Sequence, residues 1–223
     1  MTIGGSTLIV LHRGTIGMLD KLFDKYKCDK GTTKHHYHKT YEKYFESVKE
    51  EQINFLEIGT FKGASTRAFH EYFPNANIYT VDIFTRTLPE ELDILNEERV
   101  HWLKADSTDA SLGMQMRDVW GDVKFDFIID DGAHWPEANR LTLQNTIPFL
   151  KDDGVYFVED FWPLHIMTQG QLANSWLQKH PDRYDMLQHM QFINYIDQFD
   201  ITNHDRRKIT KNPDSYIIAL KKK

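Results

Sequence analysis

Several features that would mark a specialised protein are missing from this chain of 223 residues. It has a single cysteine, Cys28, so no internal disulfide can form and nothing calls for an oxidising compartment. Positive charge is not in excess. Its 27 Lys and Arg stand against 33 Asp and Glu, a formal net charge of -6, which argues against non-specific nucleic-acid binding, since that needs a basic face. No apolar run approaches the roughly 20 residues of a membrane span. The opening MTIGGSTLIVLHRG has too short an apolar patch, with no basic residue before it, for a secretory signal. There is no internal repeat and no low-complexity segment. The expectation is a soluble, cytoplasmic protein with no nucleic-acid or membrane partner.

What is present is alternation. Short β-type runs at 54–59, 77–82, 100–105, 125–130 and 154–159 are separated by helical patterns, notably 64–72 and 136–150, with Pro136 at a favoured first-turn position. Such β-α-β alternation predicts an α/β fold, Rossmann-like and doubly wound, around a mostly parallel sheet. Later, a helix is expected near 170–179. Two further strands near 191–196 and 215–220 would add an antiparallel pair at the sheet edge and bring it to seven strands. Before residue 50 the pattern is helical over 18–26 and 41–48. Between those helices lies the polar loop DKGTTKHHYHK. The expected division is an N-terminal helical segment with a lid loop (1–50) and a core domain (51–223).

Acidic residues collect at the ends of the expected strands: Glu57, Asp82, Asp106, the pair Asp130 and Asp131, and the pair Glu159 and Asp160. In an open parallel sheet the carboxyl edge is where ligands bind. The loop LEIGTFKGAST follows a strand and opens a helix, so its backbone can approach a ligand closely. It has only two glycines, Gly59 and Gly63, against the G-x-G-x-x-G of dinucleotide sites. Glu57 beside it suits a cationic ligand better than a pyrophosphate. Asp82 is placed for ribose hydroxyls and Asp106 for an adenine amino group. A positively charged adenosine cofactor, S-adenosylmethionine, satisfies these acids together. The expected cofactor-binding residues are Glu57, Gly59, Thr60, Gly63, Ser65, Asp82, Asp106 and Asp130, with Tyr37 from the loop covering the site.

Three blocks, DKGTTKHHYHKTYEKYF (29–45), NFLEIGTFKGAST with YFPNANIYTVDI (54–83), and FDFIIDDGAH with GVYFVEDF (125–161), resemble class I S-adenosylmethionine-dependent methyltransferases. More narrowly, they are similar to the metal-dependent sugar O-methyltransferases of macrolide tailoring and bacterial polysaccharide modification, the mycinamicin and macrocin type. Proteins labelled cephalosporin hydroxylase-like fall in the same broad group. The resemblance implies Asp131, Glu159 and Asp160 as ligands of a divalent metal, usually magnesium, and His134 as general base. It also allows a homo-oligomer.

Those residue types suit that chemistry. Convergent carboxylates make a hard oxygen site for magnesium, and without a cation their repulsion would raise at least one pKa. A chelated diol would be fixed and acidified, and a positioned histidine would take the proton from a hydroxyl that is otherwise a weak nucleophile. The expected activity is magnesium-dependent O-methylation of a sugar or glycoside bearing vicinal hydroxyls. Catechol or polyketide diols are alternative acceptors. A metal- and oxygen-dependent hydroxylase and an NAD-dependent oxidoreductase are alternatives from another class. The H-H-x-H spacing of His35, His36 and His38 invites a transition-metal reading, but a loop folded over the cofactor is the favoured expectation, and the role of these histidines stays open. Trp135, Phe161 and Trp162 are read equally as sugar-stacking or structural. The sugar, the hydroxyl and the carrier are not legible.

Overall fold

A computed structural model describes residues 18–223; the opening stretch MTIGGSTLIVLHRG falls outside the described residues. Helices α1 (Met18–Lys25) and α2 (His38–Phe45) precede strand β1 (Asn54–Ile58). Then follow α3 (Ala64–Tyr72), β2 (Asn77–Asp82), β3 (Val100–Lys104), α4 (Leu112–Trp120), β4 (Phe125–Asp130), α5 (Pro136–Thr146) and β5 (Leu150–Val158). The chain finishes with α6 (Gln169–Leu172), α7 (Ser175–Lys179), α8 (Met186–Ile196), β6 (Phe199–Asp205), α9 (Arg207–Thr210) and β7 (Tyr216–Lys222). The strands form one seven-stranded sheet in the order β3-β2-β1-β4-β5-β7-β6. The five strands β1 to β5 pair in parallel, whereas β7 runs antiparallel to both β5 and β6. This is the expected doubly wound sheet with its antiparallel edge. Strand order reverses between β1 and β4, which are registered Ile58 to Asp130, and such a switch point opens a crevice at the carboxyl ends of the strands.

Period-two alternation divides each central strand between two cores. Phe55, Phe127, Ile129 and Phe157 face one cluster, while Leu56, Ile58, Ile128, Tyr156 and Val158 face the other. The first core is closed by α1, α2 and α3. Phe45 of α2 is fully buried and stands against Phe55, Phe73, Phe127 and Phe157 at centroid distances of 4.8 to 5.9 Å. Burying one such ring contributes about 1.5–3 kcal/mol, so the segment before β1 is fastened to the sheet by apolar contact.

Two expectations fail, one on period and one on a cap. Residues 191–196, expected as a strand, form the last turns of α8. The β-favouring run QFINYI suggested alternation, but the buried side chains His189, Phe192 and Ile196 recur at helical spacing. Asp185 caps the helix by accepting from the Gln188 N–H at 3.0 Å. The edge strand is instead β6, a few residues later. The helix expected across 170–179 is broken into α6 and α7, because Asn174 caps a new start by accepting from the Trp176 N–H at 2.8 Å.

Candidate functional site

The carboxyl edge of the sheet carries two groups of acids with different partners. The first surrounds the loop after β1. Gly59 (φ 96°) and Gly63 (φ 69°) adopt the left-handed conformation that glycine takes without strain. A Cβ on Gly59 would collide with the Asp131 carbonyl, so the β1 and β4 loops touch only because this residue has no side chain. Asp82, at the end of β2, holds the loop by accepting from the backbone N–H groups of Thr60 (2.8 Å) and Phe61 (2.9 Å) and from that of Phe84 (2.6 Å). Phe61 and Phe84 both have positive φ, so this carboxylate fixes two strained turns. Thr60 is buried, with its hydroxyl 2.5 Å from that of Thr80.

Glu57 is fully buried. The Thr66 hydroxyl donates to its Oε2 at 2.6 Å, while Oε1 has no hydrogen-bond partner. Burial pushes the carboxyl up to about 7, against the pull of Lys30 and of the Ser65 and Thr66 hydroxyls. A buried acceptor left open is costly unless a donor reaches it, which fits a ligand carrying an amino group. Asp130 is buried too. It accepts from Asn139 Nδ2 (3.0 Å) and the Gly132 N–H (3.2 Å), and burial raises it to about 6. Asp106 is exposed and closes its own turn by accepting from the Thr108 N–H and hydroxyl.

The second group lies at the ends of β4 and β5. Ligand atoms of Asp131, His134 and Asp160 all lie within 4.8 Å of one another, and His134 Nε2 is 3.7 Å from Asp131 Oδ1. His134 and Asp160 both have positive φ (63° and 48°). Non-glycine residues held there are strained, and such strain collects at functional sites. His134 Nδ1 is buried without a hydrogen-bond partner.

Glu159 does not share that opening. Its fully buried carboxylate is paired with Lys30, and the Tyr41 hydroxyl donates to its Oε1. Lys30 also pairs with Asp131 Oδ2 at 2.5 Å. The positive group that the adjacent acids demand is therefore supplied in part by the chain itself, from a loop about 100 residues earlier. Burial, and then the neighbouring Asp131 and Asp160, push the Glu159 carboxyl up in spite of Lys30. Tyr37, expected to cover the cofactor, donates to Asp160 Oδ1 at 2.7 Å and to the Asp214 carbonyl at 3.1 Å. Burial and the flanking acids hold both tyrosine hydroxyls well above their usual range, so they remain donors. Phe161 and Trp162 are buried in packing, Phe161 against His189, Phe192 and Tyr216, and the guanidinium of Arg183 lies 4.6 Å over the ring of Trp135.

Sequence reasoning missed Lys30, Asp29 and Asp214. The excess of lysine in DKGTTKHHYHK, with Lys30, Lys34 and Lys39 against Asp29 alone, was the available signal for Lys30. Nothing in the sequence pointed to Asp214, which reaches the site from the turn before β7.

A crevice at the strand switch point, a glycine loop at its mouth and acids along the rim define the class I methyltransferase fold. Residues 56–161, a little under half of the chain, match the methyltransferase domain family. Its curated relatives are O-methyltransferases by name, of the group its motifs resemble. The 8-demethyl-8-(2-methoxy-alpha-L-rhamnosyl)-tetracenomycin-C 3'-O-methyltransferase of Streptomyces olivaceus is 26% identical over 166 residues, covering 71% of this chain and 40% of that protein. The mycinamicin VI 2''-O-methyltransferase of Micromonospora griseorubida is 28% identical over 175 residues, covering 71% and 42%. The chain thus spans about two fifths of the length of these relatives. Among solved structures, the MycE methyltransferase of the mycinamycin pathway, in complex with Mg and SAH, superposes with a TM-score of 0.65 at 23% identity, over 92% of this chain and 54% of that one. That likeness carries the fold. No helix among the described residues is long and apolar enough to cross a membrane.

Proposed function

We propose that this protein is a magnesium-dependent O-methyltransferase that moves a methyl group from S-adenosylmethionine to a hydroxyl of a sugar or glycoside. The observation that carries this reading is the convergence of Asp131, His134 and Asp160 beside the glycine loop. The names of the relatives and the match to the methyltransferase domain family support it.

Glu57, with its open oxygen, would take the amino group of the methionine end, and the backbone of Gly59 to Gly63 would lie along the cofactor. Asp82 keeps lone pairs beyond its three backbone bonds for ribose hydroxyls. Asp131 and Asp160 would hold the dication, with Glu159 joining only if Lys30 moves aside. When bound, the dication lowers the pKa of a chelated hydroxyl and fixes which oxygen faces the methyl group. His134 takes the proton from that hydroxyl as its oxygen attacks the methyl carbon, and the carbon–sulfur bond breaks to leave a neutral thioether. Alignment of the reacting atoms supplies much of the acceleration. The segment before residue 51 belongs to the same proposal. Its loop carries Lys30 and Tyr37 onto the rim as a lid, and the enzyme acts in the cytoplasm.

The test is mass spectrometry of glycosides and nucleotide-sugars incubated with S-adenosylmethionine and magnesium, read for the gain of one CH2. His134→Ala is expected to lower turnover by about 100- to 10,000-fold while leaving cofactor affinity unchanged. Turnover that persists in excess chelator would reject the metal, and a collapse of cofactor binding in the variant would make His134 structural.

A further inference from the structure

His35 is 1% exposed and lies in the loop between α1 and α2. Its Nδ1 is 2.8 Å from the Ser215 hydroxyl, just before β7, while its Nε2 has no hydrogen-bond partner. That buried nitrogen is 3.7 Å from Asp29 Oδ2 and 3.7 Å from Asp160 Oδ1. Ligand atoms of His35, Asp160 and Asp214 all lie within 4.8 Å of one another. With the Nδ1 proton given to Ser215, the Nε2 lone pair faces carboxylates, which repels unless something positive stands between them. The spacing is too long for hydrogen bonds. It is close to the edge of a coordination shell, since ligands about 2.1 Å from a tetrahedral ion stand about 3.4 Å apart.

We propose that His35, Asp160 and Asp214, with Asp29 alongside, form a second cation site, for a first-row transition-metal dication, joined to the Asp131–His134–Asp160 opening through Asp160. The surroundings are those of a ligand set held in place. Ser215 holds the His35 ring through Nδ1, the ring stacks on Tyr37 at a centroid distance of 4.9 Å, and the Tyr37 hydroxyl orients Asp160. Asp29, Asp160 and Asp214 are opposed by Lys34, which binds Asp29 at 3.1 Å, and Asp29 also by Lys30, a cation already paired with Asp131 and Glu159, and this leaves negative charge for a dication to neutralise. An imidazole donor suits zinc, iron or nickel better than magnesium, which prefers oxygen ligands. The ion ties together the loop after α1, the end of β5 and the turn before β7. The site shares Asp160 with the function proposed above but does not depend on methyl transfer.

The full chain, labelled with 15N-histidine and stripped by chelator, is titrated with zinc and separately with magnesium. Zinc is expected to shift the His35 Nε2 resonance while Nδ1 stays protonated, and magnesium is expected to leave it unmoved. Asp214→Asn is expected to weaken zinc binding at this site by about 10- to 100-fold, and His35→Gln to remove one zinc per chain by elemental analysis. If His35→Gln fails to fold, the wild-type spectra and Asp214→Asn decide. A His35 protonated on both nitrogens over roughly pH 6 to 8 and insensitive to zinc would overturn the site. So would a zinc count that falls in Asp131→Asn but is unchanged in Asp214→Asn, an outcome that leaves the rim metal of the proposed function standing.

Discussion

The acids around the glycine loop and those at the ends of β4 and β5 meet the same difficulty in opposite ways. Asp82 and Asp106 are satisfied by nearby backbone N–H groups and a hydroxyl, and one oxygen of Glu57 by a hydroxyl nine residues on, its other oxygen staying open. Asp131, Glu159 and Asp160 are satisfied by Lys30, Tyr41 and Tyr37, side chains more than 100 residues away in sequence. Local partners arrive with the turn itself, whereas distant partners arrive only when the α1–α2 segment docks. The first group therefore belongs to the loop's own geometry, and the second to the closing of the whole domain.

Three measurements would break or sharpen that contrast. The largest effect is expected from Lys30→Met. It strips a buried cation from Glu159 and Asp131 and should cost about 3–5 kcal/mol in chemical denaturation, with magnesium recovering part of the loss. A cost below about 1 kcal/mol, the range of exposed pairs, would mean that the docked loop contributes little to holding these acids.

Next comes the pH dependence of Glu57. Its folded pKa of about 7 lies above the ordinary 4.5, so between those values the folded chain keeps a proton that the unfolded chain has lost. Its contribution is fully present below about pH 4.5 and is lost as pH rises through about 7, on the order of 3 kcal/mol in all. Glu57→Gln should flatten this slope and be the more stable chain at pH 8. An unchanged slope would place the titration elsewhere.

The smallest effect is expected from Asp82→Ala. Losing the acceptor for three backbone N–H groups should cost about 2 kcal/mol and weaken S-adenosylmethionine binding, measured by denaturation and calorimetry. Full stability with weak binding would show that the loop holds its shape without the carboxylate.

Legibility followed the same line. The strands of the parallel sheet stood out because each is a short apolar run between turn signals, and α3 and α5 because glycine or proline marks where they begin. The QFINYI segment misled because β-favouring residues can also place Phe192 and Ile196 on one helical face, and the cap that decides for a helix, Asp185, sits outside the run. Within the candidate site, Asp131 and His134 could be named from one motif, FDFIIDDGAH, and Asp160 from another, GVYFVEDF, each through the family resemblance. That Glu159 turns to Lys30, that Tyr37 serves Asp160, and that Asp214 and Ser215 close around His35 could not, because no local pattern links residues 30, 160 and 214.

By itself the sequence determined the parallel strands, the crevice at their ends and which of those ends carry acids, because periodicity and turn chemistry act over a few residues. Only the tertiary structure decided which cation or donor each acid meets. Charge pairing is settled by distance in space, and the α1–α2 loop and the turn before β7 reach the rim only through the packed sheet between them.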